Sequence, residues 1–147
     1  PHFCISVALK SYNELVSGVI LDPIKNELFF AEKNNGAYHN NQRLRVSNKT
    51  NLTECLFATN KNGLLKTNLN CRITGSAALD LAYVGSGKLD GYFQNNLNIW
   101  DIAAGILIVE ESGGKLSPID LSKSNKIDIR ASSINIYDKM VENINNF

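Results

Sequence analysis

The sequence predicts an α/β fold of layered sheets and helices, with an α+β arrangement in its N-terminal third. Several β-prone segments follow one another closely between residues 4 and 46, which is typical of an antiparallel meander. Beyond residue 55, strand-like and helix-like segments alternate, which favours an α/β layer. The length of 147 residues suits one domain with an ordinary hydrophobic core.

The N-terminal region is predicted to form short strands at residues 4–10, 14–21, 28–32, 37–38 and 44–46. Asp22-Pro23 breaks the pattern after the second strand. Asn34-Asn35-Gly36 predicts a turn, because Asn and Gly tolerate positive φ. Asn40-Asn41 separates the last two strands.

The rest of the chain is predicted to form strands at residues 55–59, 72–73, 89–94, 115–117 and 127–130, after a polar linker at 48–54. A helix runs from Ser76 to about Ser86 and is capped by Gly87. A buried helix follows Asp101 and stops at Gly113-Gly114, because glycine reaches the left-handed conformation without a Cβ penalty. The segment 60–70 is rich in turn residues. A last amphipathic helix carries apolar residues on one face, namely Ile136, Met140, Val141 and Ile144.

The charge balance gives no electrostatic case for binding nucleic acid or an anionic membrane, since 15 Lys and Arg face 14 Asp and Glu. No apolar run approaches the ~20 residues of a membrane span. The three cysteines, Cys4, Cys55 and Cys71, are widely spaced and include no Cys-x-x-Cys pair. This spacing argues against a disulfide framework and a zinc site. We therefore expect a cytoplasmic protein with reduced thiols and no membrane partner.

Asp101 is the leading candidate for a functional side chain, because it stands directly before the predicted buried helix. Residues 103–105 (Ala-Ala-Gly) have little side-chain bulk, so other groups can approach that helix closely. Chemistry alone leaves a second interpretation open. Asp101 can instead cap the helix, by accepting backbone N–H bonds and complementing the helix dipole.

The fifteen residues from Trp100 to Gly114 resemble the C-terminal signature of the inositol monophosphatase family. That signature is Trp-Asp-x-Ala-Ala-Gly, followed by an apolar helix that ends in Gly-Gly. A match of this length containing a Trp-Asp pair is more specific than a lone glycine motif. The resemblance covers most of the chain, with further matching segments at 18–23, 29–33, 36–38, 45–47, 74–83 and 89–92.

The resemblance implies a Mg²⁺-dependent, lithium-sensitive phosphomonoesterase, in the branch that contains the bacterial SuhB-type relatives. Such an enzyme hydrolyses inositol monophosphate, or a related sugar or polyol phosphate, with metal-activated water. Asp101 matches a metal ligand of the family, so the resemblance assigns it the catalytic and metal-binding role. Mg²⁺ prefers hard oxygen ligands of this kind. We expect the Asp101 carboxylate to be partly open to a cleft.

Gly75-Ser76-Ala77 matches the family's substrate-contact segment at a helix start, where exposed N–H groups suit a phosphate or polyol oxygen. Taken by itself, this segment is better explained as a helix cap formed by Thr74 or Ser76. Gln94 aligns with an acid that hydrogen-bonds a ring hydroxyl in animal members. Glutamine still donates and accepts but lacks the charge. We expect these residues and Asp101 to converge at one edge of a sheet, although they span 27 positions.

By the same resemblance, residues 1–50 are the remainder of a first domain's antiparallel sheet. Residues 51–147 then form the C-terminal α/β domain that carries the substrate and metal side. The match begins just downstream of the family's first metal signature, Asp-Pro-x-Asp-Gly-Thr, and the Glu-Glu metal motif would also lie upstream. One carboxylate does not hold Mg²⁺ usefully. We therefore expect the chain alone to lack appreciable phosphatase activity. The segment 60–70 is shorter than in family members, which affects one wall of the substrate pocket.

The implied ligand is a small phosphorylated polyol or sugar, and a homodimer is compatible with the resemblance. An alternative from another class is a non-catalytic SuhB-type protein that acts with the transcription machinery. Nucleic acid or that machinery is a partner only under this alternative. A third alternative is a decayed or split gene product without function. An in-frame Asp-Pro-x-Asp-Gly-Thr in the upstream DNA would favour the phosphatase.

Other ionisable residues are interpreted structurally. Asp22-Pro23 lacks the Asp-Gly that the first metal signature requires, so we interpret it as a turn, and Asp90-Gly91 as a turn at a strand edge. The adjacent Glu110-Glu111 pair points to different helix faces, and we expect at least one of the two to face solvent. His2 and His39 have no Ser or Cys in a recognisable nucleophile setting, so surface or turn roles are expected and a covalent mechanism has no support.

Overall fold

The strands of this chain form two five-stranded sheets in the computed structural model, which describes residues 1–65 and 67–145. The first sheet is an antiparallel meander and the second is mixed, so the predicted fold class is confirmed. Lys66, in the segment predicted to be turn-rich, lies outside the described residues. The same holds for the last two residues of the predicted 51–147 domain.

The first sheet contains β1 (Ile5–Ser11), β2 (Glu14–Asp22), β3 (Glu27–Glu32), β4 (Gly36–His39) and β5 (Gln42–Arg43), which pair in that order. The turns that join β3 to β4 and β4 to β5 fall where the sequence tolerates positive φ. Asn34 and Gly36 have φ values of 66° and 88°. Asn40 and Asn41, at 44° and 71°, form a turn with two consecutive left-handed residues. Such turns match the right-handed twist of the strands that they join.

The predicted strand at residues 44–46 is wrong, because the fifth strand covers Gln42–Arg43. The two-residue turn pairs the last residue of β4 with the first residue of β5, so the ladder begins earlier than predicted. The chain then leaves the sheet, and the Val46 N–H donates to the Ser112 carbonyl over 3.1 Å. The tight turn therefore determines where this strand begins, and the path of the chain towards Ser112 determines where it ends.

The second sheet contains β6 (Phe57–Ala58), β7 (Cys71–Arg72), β8 (Gly91–Leu97), β9 (Gly114–Leu116) and β10 (Ile127–Ser133). Its strand order is β7-β6-β8-β10-β9. β6 runs parallel to both of its neighbours, whereas β10 is antiparallel to β8 and β9. Parallel neighbours direct their carboxyl ends to the same edge of the sheet, which is where ligands of α/β layers bind.

The helices of the described residues are α1 (Lys61–Leu64), α2 (Ala77–Gly85), α3 (Ile99–Glu111) and α4 (Ile134–Asn145), with a 3₁₀ turn at Leu52–Glu54. The three longer ones confirm the predicted helices. The single turn α1 lies in the segment predicted to be turn-rich. Within 1–65 and 67–145, no helix has the length and apolar character to cross a membrane.

The start of α3 differs from the prediction that Asp101 directly precedes the helix. Because α3 begins at Ile99, Asp101 is its third residue. Asn98 is the N-cap, but its side chain makes no cap hydrogen bond. Instead, Asn98 Nδ2 donates to Asp101 Oδ2 over 3.2 Å. At the other end, Gly113 adopts a φ of 83° and its N–H donates to the Glu110 carbonyl, so the helix stops as predicted.

The core lies around α3, which packs against α2 on one side and the first sheet on the other. One hydrophobic cluster joins side chains of both sheets, such as Ile20 and Phe29 of the first and Tyr92 of the second. A second cluster lies between the second sheet and α4. It contains Phe57, Phe93, Ile136, Met140 and Ile144, with the half-buried Val141 at its edge.

Candidate active site

A cleft of about 550 Å³ opens where the N-terminal residues, the start of α2, β8 and the first turn of α3 meet. All the predicted site residues line this cleft, namely Gly75, Ser76, Ala77, Gln94 and Asp101. Thr59 and Asn60, which directly follow β6, line it too. The cleft therefore lies at the edge of the second sheet where β6 ends, and residues distant in sequence come together there.

Asp101 is half-buried and lines the cleft. Its Oδ2 accepts a hydrogen bond from Asn98 Nδ2, and its Oδ1 has no hydrogen-bond partner among the described residues. Within the same residues its carboxylate accepts no backbone N–H, so the hydrogen bonds give no support to a capping role. The carboxylate has one oxygen free to bind a ligand in the cleft.

Gly75-Ser76-Ala77 forms the entry to α2. Ser76 is the N-cap, and its Oγ accepts a hydrogen bond from the Leu79 N–H over 3.4 Å. Gly75 has a φ of 94°, and a Cβ built on it would meet no atom within 4 Å. The backbone here is therefore open to the cleft. Ser76 is thus both a helix cap and a cleft residue, and the two interpretations from sequence are compatible.

Gln94 lies in β8 and is half-buried. Its Oε1 accepts a hydrogen bond from the Tyr92 hydroxyl over 2.8 Å. Burial raises the pKa of Tyr92, with the Asp80 and Asp101 carboxylates adding to the shift, so this phenol stays a proton donor. The bond fixes the orientation of the amide, whose Nε2 then remains available as a donor to a ligand.

Asp80 is a cleft residue that the sequence analysis did not single out. Its side chain is 2% exposed, and its Oδ1 accepts a hydrogen bond from Thr74 Oγ1 over 2.7 Å. Burial raises the pKa of Asp80 to about 7, against the lowering effect of the Thr74 bond. The available signal was an acid placed inside an otherwise apolar helix segment, Ala77 to Val84. Such an acid is seldom buried without a specific partner.

The N-terminal residues add two further side chains to the cleft. Cys4 Sγ lies 3.7 Å from Ser76 Oγ, and burial raises the pKa of this thiol, which keeps it protonated. His2 is half-buried there, and its Nε2 is shielded from solvent without a hydrogen-bond partner among the described residues. His39 stands elsewhere, stacked on Phe29 with 4.5 Å between ring centroids, at the end of β4.

The acids that the sequence analysis set aside form structural contacts. Buried Asp22 accepts the N–H groups of Ile24 and Lys25 over 2.9 and 3.0 Å, and chiefly the Lys25 bond lowers the pKa of this carboxyl. Buried Asp90 accepts the Leu56 N–H over 2.7 Å and the Lys49 ammonium over 2.8 Å. Both acids therefore stabilise turns and connections.

A larger cleft, of about 660 Å³, lies at the C-terminal end of α3 and contains none of the predicted site residues. Glu110 and Glu111 are among the residues that line it. Glu110 is exposed to solvent, as expected for at least one of the pair. The Glu111 carboxylate accepts the N–H groups of Asn34 and Gly36 over 2.8 and 2.9 Å. We therefore assign Glu111 to the β3–β4 turn and place the candidate site at the smaller cleft.

The sequence model of the inositol monophosphatase family matches residues 1–143 of this chain. The chain belongs to the inositol monophosphatase family. Its relatives carry two kinds of name. It is 42% identical over 139 residues to the Nus factor SuhB of Haemophilus influenzae. This alignment covers 84% of this chain and 52% of that protein. It is 36% identical over 164 positions to the inositol-1-monophosphatase of Caulobacter vibrioides. This alignment covers 98% of this chain and 64% of that protein.

The fold agrees with that of a solved inositol monophosphatase family member. The crystal structure of the extragenic suppressor protein SuhB from Bartonella henselae matches with a TM-score of 0.89 and 38% identity. That match covers 99% of this chain and 65% of the B. henselae chain. The chain thus spans between half and two thirds of the length of these relatives. The alignment with the C. vibrioides protein has 164 positions, 17 more than this chain has residues, so this chain carries gaps in it. That one of these gaps lies at 60–70, where we expect a shortened segment, stays a prediction.

Members of the inositol monophosphatase family are generally metal-dependent. Within 1–65 and 67–145, no three His, Cys, Asp or Glu side chains are grouped in a way that would hold a metal ion. Mg²⁺ requires near-octahedral coordination by oxygen, usually from more than one carboxylate together with waters and substrate phosphate. Asp101 offers one such oxygen ligand. The described residues therefore do not form a complete Mg²⁺ site by themselves, although Asp101 is suited to be one of its ligands.

Proposed function

We propose that this chain is part of a Mg²⁺-dependent phosphomonoesterase that acts on inositol monophosphate or a related sugar or polyol phosphate. The observation that carries the proposal is the convergence of Gly75-Ser76-Ala77, Gln94 and Asp101 on one cleft. Family membership supports the reaction class. The inositol-1-monophosphatase of C. vibrioides supports the polyol phosphate as substrate.

Each proposed role follows from the contacts of the side chain. A Cβ built on Gly75 would meet no atom, so a ligand can approach the backbone closely on that side. Gln94 has its Oε1 engaged by Tyr92, which leaves Nε2 to donate to a ligand hydroxyl. Asp101 keeps one carboxylate oxygen free for a cation. Together these groups orient a phosphorylated polyol between the start of α2 and α3.

The charges at the cleft support a requirement for a cation. The acidic side chains that line it are Asp80 and Asp101. A phosphate dianion placed beside these carboxylates is repelled unless positive charge is added. A divalent cation, if Asp101 and ligands from outside the described residues held it, would supply that charge and could activate water. Because Asp101 is the one ligand that we assign to it within the described residues, we propose that the chain by itself has no appreciable Mg²⁺-dependent activity.

The test is phosphate release from inositol monophosphate and from sugar phosphates with millimolar Mg²⁺. We expect background rates for residues 1–147. We expect turnover for a version extended to the length of its relatives, and loss of that turnover in Asp101→Asn. Robust Mg²⁺-dependent turnover by residues 1–147 would show that the metal site is misplaced. Full activity of Asp101→Asn in the longer version would remove Asp101 from the reaction.

A second candidate function is supported by the name of the H. influenzae relative, Nus factor SuhB. Under it, the chain is a non-catalytic protein that acts with the transcription machinery. Co-purification of an extended, inactive protein with RNA polymerase would favour this alternative. Hydrolysis that depends on Asp101 would favour the phosphatase.

The three free cysteines, Cys4, Cys55 and Cys71, support our proposal of a cytoplasmic location. Lithium sensitivity and a homodimer follow from the family resemblance and remain predictions. Lithium inhibition is measured in the phosphate-release assay, and the oligomeric state by light scattering.

A further inference from the structure

We propose that Asp80, acting through Thr74, is the positioning residue that holds the turn Thr74-Gly75-Ser76 in the shape that faces the candidate cleft. The inference rests on the proposed function, because it concerns what fixes the ligand-binding turn of that same site. Its experiment has one arm that needs no ligand, so the two proposals can fail separately.

Asp80 contacts the turn twice. Its carboxylate Oδ1 accepts the Thr74 hydroxyl over 2.7 Å, and its backbone N–H donates to the Ser76 carbonyl over 2.9 Å. The Thr74 hydroxyl in turn accepts the Ser76 N–H over 3.3 Å. Thr74 Oγ1 therefore donates its proton to Asp80 and uses a lone pair for Ser76. This link joins the buried carboxyl to the residues on both sides of Gly75.

The turn needs such a link because nothing packs against Gly75 in the direction that a side chain would take. A Cβ built on Gly75 would meet no atom within 4 Å. Glycine also loses more backbone freedom on ordering than any other residue, so an unsupported turn would sample many conformations. The hydrogen bonds to Thr74 and Ser76 restrain the turn on its inner side. They determine where the Gly75 and Ala77 N–H groups point.

The chemical nature of Asp80 also favours a specific role. It is buried at the floor of the cleft, between Leu79 and Leu81 in the sequence of α2, where an apolar side chain would incur no desolvation cost. Its Oδ2 has no hydrogen-bond partner among the described residues. Burial accordingly raises the pKa of this carboxyl to about 7. Burial of this carboxyl lowers the stability of the fold, whereas its hydrogen bond to Thr74 stabilises the turn.

The first arm of the experiment measures amide hydrogen exchange at Gly75 and Ser76 in residues 1–147 without ligand. Thr74→Val and Asp80→Ala each remove the link, and we expect exchange at Gly75 and Ser76 to accelerate about tenfold, as for the loss of one hydrogen bond. Thr74→Ser and Asp80→Asn keep a hydroxyl donor and an oxygen acceptor, so exchange should stay within about threefold of the original chain.

Asp120→Ala is the matched control, because it breaks a similar bond, from Ser122 Oγ over 2.6 Å, outside the cleft. It should leave exchange at Gly75 unchanged. Unchanged exchange in Thr74→Val and Asp80→Ala would overturn the proposal. Equal acceleration in Asp80→Asn and Asp80→Ala would overturn it too, because an acceptor oxygen would then not suffice.

The second arm measures the affinity of the extended protein for inositol monophosphate with Ca²⁺ in place of Mg²⁺, by calorimetry. We expect the dissociation constant to rise about fivefold to tenfold in Thr74→Val and in Asp80→Ala, and to recover in Thr74→Ser. If the original protein binds no inositol monophosphate while the exchange results hold, the proposed function fails and the positioning role stands. Tight binding that is insensitive to both variants would overturn the positioning role at the cleft.

Discussion

Gly105 of α3 lies directly against Leu81 of α2, so that a Cβ placed on Gly105 would come within 2.5 Å of the Leu81 Cβ. The preceding residue, Ala104, makes a close contact on the opposite side. A Cβ on Gly18 of β2 would lie 2.9 Å from the Ala104 Cα. α3 therefore packs closely against both α2 and the first sheet, because small residues lie at the two contacts. Because Asp101 lies one turn earlier, these contacts fix its carboxylate relative to the start of α2.

The first prediction concerns the close packing of Gly105 against Leu81. Gly105→Ala should lower the free energy of unfolding, because overpacking costs about 1–3 kcal/mol while the better helix propensity of alanine returns only about 1 kcal/mol. The nearest atom is the Leu81 Cβ, whose position is set by the backbone, so rotation of the Leu81 side chain does not relieve that contact. Urea unfolding followed by circular dichroism measures the change.

Leu81→Ala provides the matched control for that prediction. Alone it should destabilise the chain by about 2–5 kcal/mol, as for other buried leucines. Combined with Gly105→Ala it should cost less than the sum of the two single changes, since it removes the Leu81 Cδ1 and Cγ, which lie 2.7 and 3.2 Å from the new methyl group, and leaves only the contact with Cβ. Strict additivity would show that the two residues do not limit each other.

A second prediction concerns Glu111, which accepts the N–H groups of Asn34 and Gly36 in the β3–β4 turn. Glu111→Ala removes both charge-assisted bonds and should destabilise the chain by about 1–3 kcal/mol. Glu111→Gln keeps one acceptor oxygen and should cost less. The neighbouring exposed Glu110→Ala is the control and should change stability by less than ~0.5 kcal/mol. Equal effects of Glu110→Ala and Glu111→Ala would contradict the assigned role.

The fold was predictable where a local pattern and the tertiary structure agree. The apolar periodicity of α3 and α4, and the Asn-rich turns of the first sheet, both indicated the observed elements. The errors came from positions that depend on contacts. The strand predicted at 44–46 is replaced by β5, because the chain leaves the sheet to bond Ser112. The helix start before Asp101 depends on the path from β8, which no local pattern reveals.

The candidate site was predictable to the extent that motifs mark it. The family resemblance pointed to Gly75-Ser76-Ala77, Gln94 and Asp101, and these residues line one cleft. Asp80 was not predicted, because an acid in a helix is usually exposed and its burial follows from how α2 packs. Thr74 was considered only as a helix cap, and its bond to Asp80 depends on that burial. His2 and Cys4 were also missed, since they precede β1, and only the packing of β1 against α3 brings them to the cleft.

A third prediction is the pH dependence of stability due to Asp80. Its pKa is raised from 3.8 to about 7 by burial, so between these values the folded state binds more protons than the unfolded state. The stability that Asp80 contributes is therefore present below pH 4 and is lost as the pH rises towards 7. Since each pH unit between the two pKa values corresponds to about 1.36 kcal/mol, the free energy of unfolding should fall by about 4 kcal/mol at most. Asp80→Asn should abolish this loss.

The measurement is urea unfolding of the original chain and of Asp80→Asn at pH 5 and pH 8. Relative to the original chain, Asp80→Asn should gain stability at pH 8. Asp120→Asn is the control of opposite sign, because hydrogen bonds from Ser122 lower the pKa of Asp120, so its contribution is lost as the pH falls. A difference between the original chain and Asp80→Asn that is independent of pH would contradict the raised pKa.

A fourth prediction tests the role of Gln94 in choosing the substrate. The family resemblance places an acid at this position in animal members, where it hydrogen-bonds a ring hydroxyl. Gln94→Glu would keep the acceptor for Tyr92, now 2.8 Å from Oε1, and add a charged acceptor for a ligand hydroxyl. A hydrogen bond to a charged group is worth about 1 kcal/mol more than a neutral one. In the extended protein, kcat/KM for inositol monophosphate relative to a hexose monophosphate should therefore rise about fivefold.

Gln42→Glu is the matched control, because it makes the same substitution at an exposed position in β5, away from the cleft. It should leave the ratio of the two kcat/KM values unchanged. The ratio separates recognition from general effects, since a weaker metal site would lower both values together. Because the added charge faces Asp80 and Asp101 across the cleft, both absolute rates should fall at low Mg²⁺ and recover as Mg²⁺ is raised. An unchanged ratio at saturating Mg²⁺ would remove Gln94 from substrate recognition, and would leave its bond to Tyr92 as a structural contact only.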